Sequence, residues 1–489
     1  MTASPPAQSR VAELPPVVQA QLDAPAPERR GWLATIAPAY LGVFVWIPFL
    51  DPLGVAPSGS GGLAGRFLSA ALAVVCCYGL LYYAPAMLGF RSGRRLSVVA
   101  AEPFGAEGAE WITGVLYGLF AAALCAVSIY YSVKLTLVGL ISWKLVDPAL
   151  VRPWSLGALK LESPLVLTAL AFWLFIIAAA NGLRLMNVIA ALMRVYAPVA
   201  GALLGLLAVW SLWSSPPGTF AGVSSDIGLF DARVFQLVFG YFAFAGLMGV
   251  EWGSVVRIRK DVRLGGWLGI LASGTFAVLA GLILAALDPG PGPAAAGLDW
   301  NIPPGSIQGA FLRGVGASLG GWAAGGVLLL FGLAALAPAC YTSKLFADRC
   351  RGHSPILRGP IGGLLGYGLI FALMAQSFAS DVETIFTLGG ALFASAAGVL
   401  AVEALANRGP GREVRPGWRL SGVAAWLVGL VVGLAPLLGE AVSTPSLKSV
   451  QPAALLAFAT AAAVYGVAAL ATSGRASTAA DRSDVPEEP

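Results

Sequence analysis

The residues with the strongest chemistry in this chain are charges where lipid should exclude them. Glu251 lies in "GYFAFAGLMGVEWGSVV" (Gly240–Val256), and Lys344 lies in "FGLAALAPACYTSKLFADR" (Phe331–Arg349). Asp51 and Lys134 stand in two further apolar runs. A charge near the bilayer centre costs at least ~2.5–3.5 kcal/mol, so each needs a named partner or a route to the interface. At ~1.5 Å per residue, Glu251 and Lys344 reach similar depths, about two-thirds of the way toward the basic end of their runs. Burial raises a carboxylate's pKa and a nearby ammonium lowers it, so such an acid could carry a proton between two states. Alternatively, long side chains at that depth could extend to the interface.

The same runs place glycine at mid-span: Gly42 in one, Gly246 and Gly249 in another. Unwinding there would free backbone groups, which hydrocarbon tolerates only where they line a cavity or bind a solute. Close helix packing is the other use of such glycines. For solute contacts the sequence offers Gly42, Phe44 and Trp46, then Tyr130 and Tyr131, then Phe244, Gly246, Gly249 and Trp252, and finally Tyr341 and Thr342. Aromatic faces with few charges suit a small, uncharged or planar solute rather than a polyanion.

The elements that must position these residues follow from composition. Of 489 residues, 57% are apolar and 11% charged, where a soluble domain carries about 25% charged residues. The pattern is that of a polytopic, all-α membrane protein with about twelve transmembrane helices. These are expected near 32–50, 66–90, 111–143, 163–180, 187–213, 234–256, 264–287, 308–346, 359–378, 384–405, 420–438 and 450–471, with the 308–346 stretch long enough to include a loop helix. Basic residues fall in alternate loops (Arg91/Arg94/Arg95, Arg184, Arg257–Arg263, Arg349/Arg351/Arg358 and Arg408–Arg419), which places those loops and both termini in the cytoplasm. Only the loop around Lys144, Arg152 and Lys160 breaks the rule. The net charge of +5 therefore reports topology and not a nucleic-acid partner. Residues 1–30 and 473–489 read as disordered cytoplasmic tails. Cys76, Cys77, Cys125, Cys340 and Cys350 lack metal-ligand spacing and read as small buried thiols, and His353 is the single histidine.

"IAPAYLGVFVWIPFLDPLG" in the first span and "GYFAFAGLMGVEWG" in the sixth both carry mid-span glycine followed by an acid. Five spans separate them, so they cross in opposite directions. That is the mark of a five-plus-five inverted repeat with discontinuous helices 1 and 6 around a central site. The expected halves are 31–213 and 232–405, with helices 11–12 at 417–472.

On these residues the chain resembles the amino acid–polyamine–organocation superfamily, and most the nucleobase:cation symporter-1 (purine/cytosine permease) family. "PFGAEGAEW" (Pro103–Trp111), "NGLRLMNVIAALMRVYAP" (Asn181–Pro198), and "AAGVLAVEALANRGPG" followed by "GWRLSGVAAWLVG" carry the likeness. The resemblance implies that helices 6 and 8 are neighbours, so Glu251 and Lys344 are expected to pair as an inner gate or proton site, with Asp51 and Lys134 as the outer couple. Glu403 is expected at the inner interface; Arg194 stands where some relatives place a cationic side chain instead of sodium, but only about two turns into its helix, so it is expected to extend to the interface. The ring-binding Trp and Gln of the family's helix three would fall near Ala123 and Val127. Its helix-eight Ser/Thr and Asn places would fall on Ala334, Ala335 and Ala339, which disfavours sodium as coupling ion and favours a proton.

The resulting expectation is a secondary active transporter of the inner membrane that moves a small organic solute, such as a nucleobase-like ring, by alternating access. An amino acid or amine permease and a transport-inactive sensor of the same fold are the alternatives. No nucleophile–base constellation, metal cluster or phosphate loop suggests an enzyme, a metal or a cofactor.

Overall fold

The structure, a computed structural model, describes residues 14–25, 28–54, 62–156, 159–183, 185–214, 230–287, 310–350, 360–376, 378–406 and 414–483. The chain opens with a short helix α1 (Pro16–Leu22), followed by α2 (Ile36–Phe44) and α3 (Ile47–Leu50). Next come α4 (Leu63–Ser92), α5 (Leu96–Ser142), α6 (Pro164–Gly182) and α7 (Met186–Ser214). The second half holds α8 (Ala232–Leu247), α9 (Gly249–Ser254), α10 (Arg259–Ala286), α11 (Ala310–Leu319), α12 (Gly321–Ala334), α13 (Leu336–Cys350), α14 (Pro360–Ala375) and α15 (Val382–Ala406). Finally come α16 (Leu420–Ala441) and α17 (Ala453–Ser483).

Among the described residues, eight helices are long and apolar enough to cross a membrane. Two bent pairs, Ile36–Phe44 with Ile47–Leu53 (51°) and Leu420–Gly433 with Ala435–Ala441 (50°), bring the number to ten. The shorter apolar helices Ala232–Leu247 and Gly362–Ala375 occupy the places of the expected sixth and ninth spans. The expected loop helix before helix eight is α11. A small antiparallel hairpin, β1 (Trp154–Leu156) with β2 (Leu159–Leu161), sits in the loop that broke the charge rule.

Three expectations are corrected. Residues 14–30 are not simply a tail: Val17 and Val18 of α1 are buried, and Gln21 Oε1 accepts from the Ser97 amide at 3.1 Å. At the other end α17 continues to Ser483. Helix three begins well before residue 111, at Leu96, with a kink at Gly105. Gly105 has φ +76°, and a Cβ there would lie 2.2 Å from the Gly417 carbonyl oxygen. The groups freed by this kink are taken up by the irregular segment entering α16. Arg419 N donates to Phe104 O (2.8 Å), and Ala106 N donates to Arg415 O (3.1 Å). The "PFGAEGAEW" motif is thus a joint between helices three and eleven.

Buried charge ties the end of the bundle opposite the arginines. Lys134 on α5 pairs with Glu162, just before α6, at 2.8 Å, and their side chains are 5% and 1% exposed. Tyr130 OH donates to the other Glu162 oxygen at 2.8 Å. Glu162 is a residue that loop hydropathy gave no reason to bury.

Two stability measurements follow. Gly105→Ala combines positive φ with a backbone collision and should cost about 2 kcal/mol, seen as a lower thermal midpoint in detergent. Gly79→Ala, where nothing lies within 4 Å, should leave the midpoint in place. Lys134→Met should cost ~3–5 kcal/mol by stranding Glu162, and adding Glu162→Gln should recover most of the loss. A double variant as unstable as the single one would show that the pair does not act as a unit.

Candidate functional site

The first span breaks at Val45–Trp46, four residues later than Gly42 suggested. The cause is Pro48, which has no N–H for the Phe44 carbonyl and whose ring collides with that turn. The sixth span is interrupted at Met248, between Gly246 and Gly249. Those two glycines do not unwind the chain; they let it approach helix two. A Cβ on Gly246 would stand 2.8 Å from Leu81 Cβ, and one on Gly249 would stand 3.2 Å from Tyr82.

The two broken spans exchange hydrogen bonds. Tyr40 OH of α2 donates to Ala245 O of α8 at 3.1 Å, and Tyr241 OH of α8 donates to Val43 O of α2 at 2.7 Å. Tyr117 OH of α5 donates to Phe244 O at 3.0 Å. Carbonyls beside both interruptions are therefore satisfied inside an apolar bundle, where each orphan would cost several kcal/mol (~1–3 in protein mutational terms).

Beside these bonds lies a cavity of about 500 Å³. Gly42, Trp46, Phe244, Trp252, Tyr341 and Thr342, all expected contacts, line it. Tyr40, Ser128, Tyr241 and Met248 line it too, though sequence reading did not single them out for the site. Glu28, Arg30 and Val255 place its mouth at the arginine-rich end. Its serine and threonine hydroxyls are committed locally: Thr35 to Gly31 O, Ser128 to Leu124 O and Thr342 to Pro338 O. Trp46 Nε1 is buried and has no hydrogen-bond partner among the described residues. Away from the mouth, Trp46 stacks on Tyr241 (5.6 Å), while Tyr241 meets Phe49 (4.6 Å) and Phe386 (4.7 Å). Above this aromatic lid, Arg233 grips both Glu383 oxygens at 2.9 and 2.5 Å, joining α8 to α15.

The remaining expected site residues lie outside the cavity. Phe44 is fully buried, stacked on Phe242 at 5.4 Å. Tyr130 serves Glu162, and Tyr131 OH donates to Asp51 at 3.3 Å. The expected outer couple is not formed, because Lys134 pairs with Glu162 instead of Asp51.

The expected Glu251–Lys344 pair is also absent. Lys344 points outward and pairs with Asp348 one turn along, at 2.8 Å. Arg349, five residues further, turns inward instead: its Nη2 donates to Glu251 Oε1 at 2.7 Å and its Nη1 to Ser97 Oγ at 2.7 Å. The Leu96 amide donates to the same Glu251 oxygen at 3.2 Å. The guanidinium also lies 5.7 Å from the Tyr117 ring, which stacks on Phe244 at 4.1 Å. Glu251 thus joins α9, α5 and α13 in a chain of contacts that ends at the cavity wall. Sequence reading counted Arg349 as a loop charge because it sits at the end of its apolar run. Glu403, expected at the interface, is buried with Tyr465 OH donating to it at 2.5 Å. The side chain of Arg194 lies outside the described residues.

No family model matches the sequence, and no curated protein matches it in sequence. Solved structures do match. Mhp1, a nucleobase-cation-symport-1 family transporter, in a closed conformation with bromovinylhydantoin bound, superposes with a TM-score of 0.63 at 14% identity, over 91% of this chain and 93% of that one. The inward-facing conformation of Mhp1 gives 0.62 at 14% identity, over 92% and 94%. Near-complete coverage of both chains, with interrupted first and sixth spans, gives one conclusion: this multi-pass membrane protein has the fold of the transporter Mhp1.

Proposed function

We propose that this chain is a secondary transporter of the cytoplasmic membrane that carries a small, planar, uncharged nitrogen heterocycle by alternating access. The observation that carries the reading is the aromatic cavity at the two helix interruptions, open at the basic end and closed by stacked rings at the other. The charged residues on its wall stand at the mouth, so a zwitterionic amino acid would find no counter-charge at depth. The hydantoin bound by Mhp1 has the same general chemistry. Trp46 offers a ring face and an unsatisfied N–H that a heterocycle's acceptor could relieve. The resulting orientation puts the basic loops and the cavity mouth in the cytoplasm.

In this reading Arg349–Glu251 is the inner tie between helix six and helices three and eight, and Glu251 carries the coupling proton. A proton on Glu251 would remove the charge that holds Arg349, freeing α9 to move. Alanine at 334, 335 and 339 leaves methyls where a sodium site would want oxygen ligands, which supports the proton over sodium.

Reconstitution into proteoliposomes tests both parts. Saturable uptake of labelled hydantoins or nucleobases is expected, with Trp46→Ala raising KM about tenfold (~1.4 kcal/mol) and Trp46→Phe retaining most affinity. Saturable uptake of an amino acid and none of a heterocycle would overturn the substrate class. Glu251→Gln should flatten the pH profile of uptake while leaving substrate binding measurable. An unchanged profile would remove Glu251 as the coupling site.

A further inference from the structure

At the basic end, one group of cations stands apart from the ion pairs described above. Arg257, Arg259, Lys260 and Arg263 are all exposed, and among the described residues none of them forms an ion pair with a carboxylate, although Arg257 feels the charge of Glu28. Asp261, the acid between them, is buried. Arg259 and Arg263 lie one turn apart on α10, a spacing at which like charges repel. Arg263 Nε donates to Tyr83 OH at 3.3 Å, and Arg259 acts electrostatically on the same phenol. Tyr78 flanks it, its ring centroid 6.0 Å from that of Tyr83. Two guanidinium groups one turn apart beside a neutral hydroxyl form a donor set that an anion would complete.

The surroundings indicate where that anion comes from. Arg259 opens a candidate span (Arg259–Ala286), and Tyr83 lies in the neighbouring one (Leu63–Ser92). Ile258 and Trp267, on either side of the cations, are 54% and 59% exposed. Indole rings of this kind favour the headgroup level of a bilayer. Paired cations beside exposed apolar groups at that depth fit a phosphate attached to acyl chains better than a dissolved ion.

We propose that Arg259, Arg263 and Tyr83 hold the phosphate of an anionic phospholipid, with Lys260 beside its headgroup and Trp267 against its chains. The site bears on the transport machinery through the backbone it grips. Tyr82 OH donates to Val262 O at 2.8 Å, and Gly265 packs against Ile36 at the base of α2. Arg257 Nε donates to Arg29 O at 3.2 Å, next to the Glu28 and Arg30 of the cavity mouth. Bound lipid would steady the base of the first span.

Detergent-purified full-length protein can be titrated with phosphatidylglycerol, phosphatidylcholine or inorganic phosphate while the thermal midpoint is followed. Phosphatidylglycerol should raise the midpoint and phosphatidylcholine should not. Arg259→Gln with Arg263→Gln should weaken the apparent phosphatidylglycerol affinity about tenfold or more, while Arg91→Gln on the same face leaves it unchanged. The proposal fails if the double variant responds like the wild type, or if phosphatidylcholine or inorganic phosphate reproduces the shift. Should the double variant be unstable, native mass spectrometry of Arg263→Gln decides the matter. Retention of phosphatidylglycerol equal to the wild type would overturn the proposal, and loss of bound lipid would support it.

Discussion

Hydrocarbon cannot hydrogen-bond a carbonyl, and everything central to this fold answers that constraint. A helix interrupted at mid-membrane leaves acceptors with no water to turn to. Here the answer is reciprocal. The first broken span supplies Tyr40 to the sixth, and the sixth supplies Tyr241 to the first. Each tyrosine ring also forms part of the cavity wall, so the groups that make the interruption tolerable also shape the space beside it. Because the two bonds run in opposite senses between the same two spans, a displacement of either span strains both. The two spans are thereby coupled where each is interrupted.

Charge is handled on a second principle, separation by depth. The charged residues on the cavity wall stand at its mouth, while Glu162–Lys134 and Glu251–Arg349 each lie where several helices meet. A buried pair of this kind adds little net stability, but breaking it is costly, which makes it better suited to fixing an arrangement than to strengthening it. The pair at Lys134 is almost fully enclosed. The Glu251 side chain is 20% exposed, and that contrast suits the first to permanence and the second to exchange.

Much of this was legible in the sequence because membranes impose coarse rules. The all-helical, many-span architecture and the breaks in helices one and six follow from hydropathy, period and composition, although twelve spans were expected and eight to ten are long and apolar enough among the described residues. What escaped was local. The break in helix one was assigned to Gly42, whereas the missing N–H of Pro48 decides it. Gly246 and Gly249 looked like unwinding signals, but a glycine's tolerance for close approach and its flexibility leave the same trace in a sequence. Lys344 and Arg349 differ by five residues, which on a helix is more than a quarter-turn of facing direction beyond one full turn, so depth alone could not say which one meets Glu251. Glu162 was missed because a loop acid gives no hint that a lysine from a neighbouring helix will cover it. Tyr40 and Tyr241 could have been found: each lies within two turns of its break, in matched spans.

The internal commitment of the cavity's serine and threonine hydroxyls has a consequence for selectivity. Thr35, Ser128 and Thr342 each bond to a backbone carbonyl four residues earlier, so in the proposed transporter the wall would discriminate by outline and ring stacking more than by these hydroxyls. A pocket of that kind separates molecules differing by one methylene by only ~1–3 kcal/mol and does little to reject an isostere. On the proposed reading, breadth of diet would be a property of the wall itself.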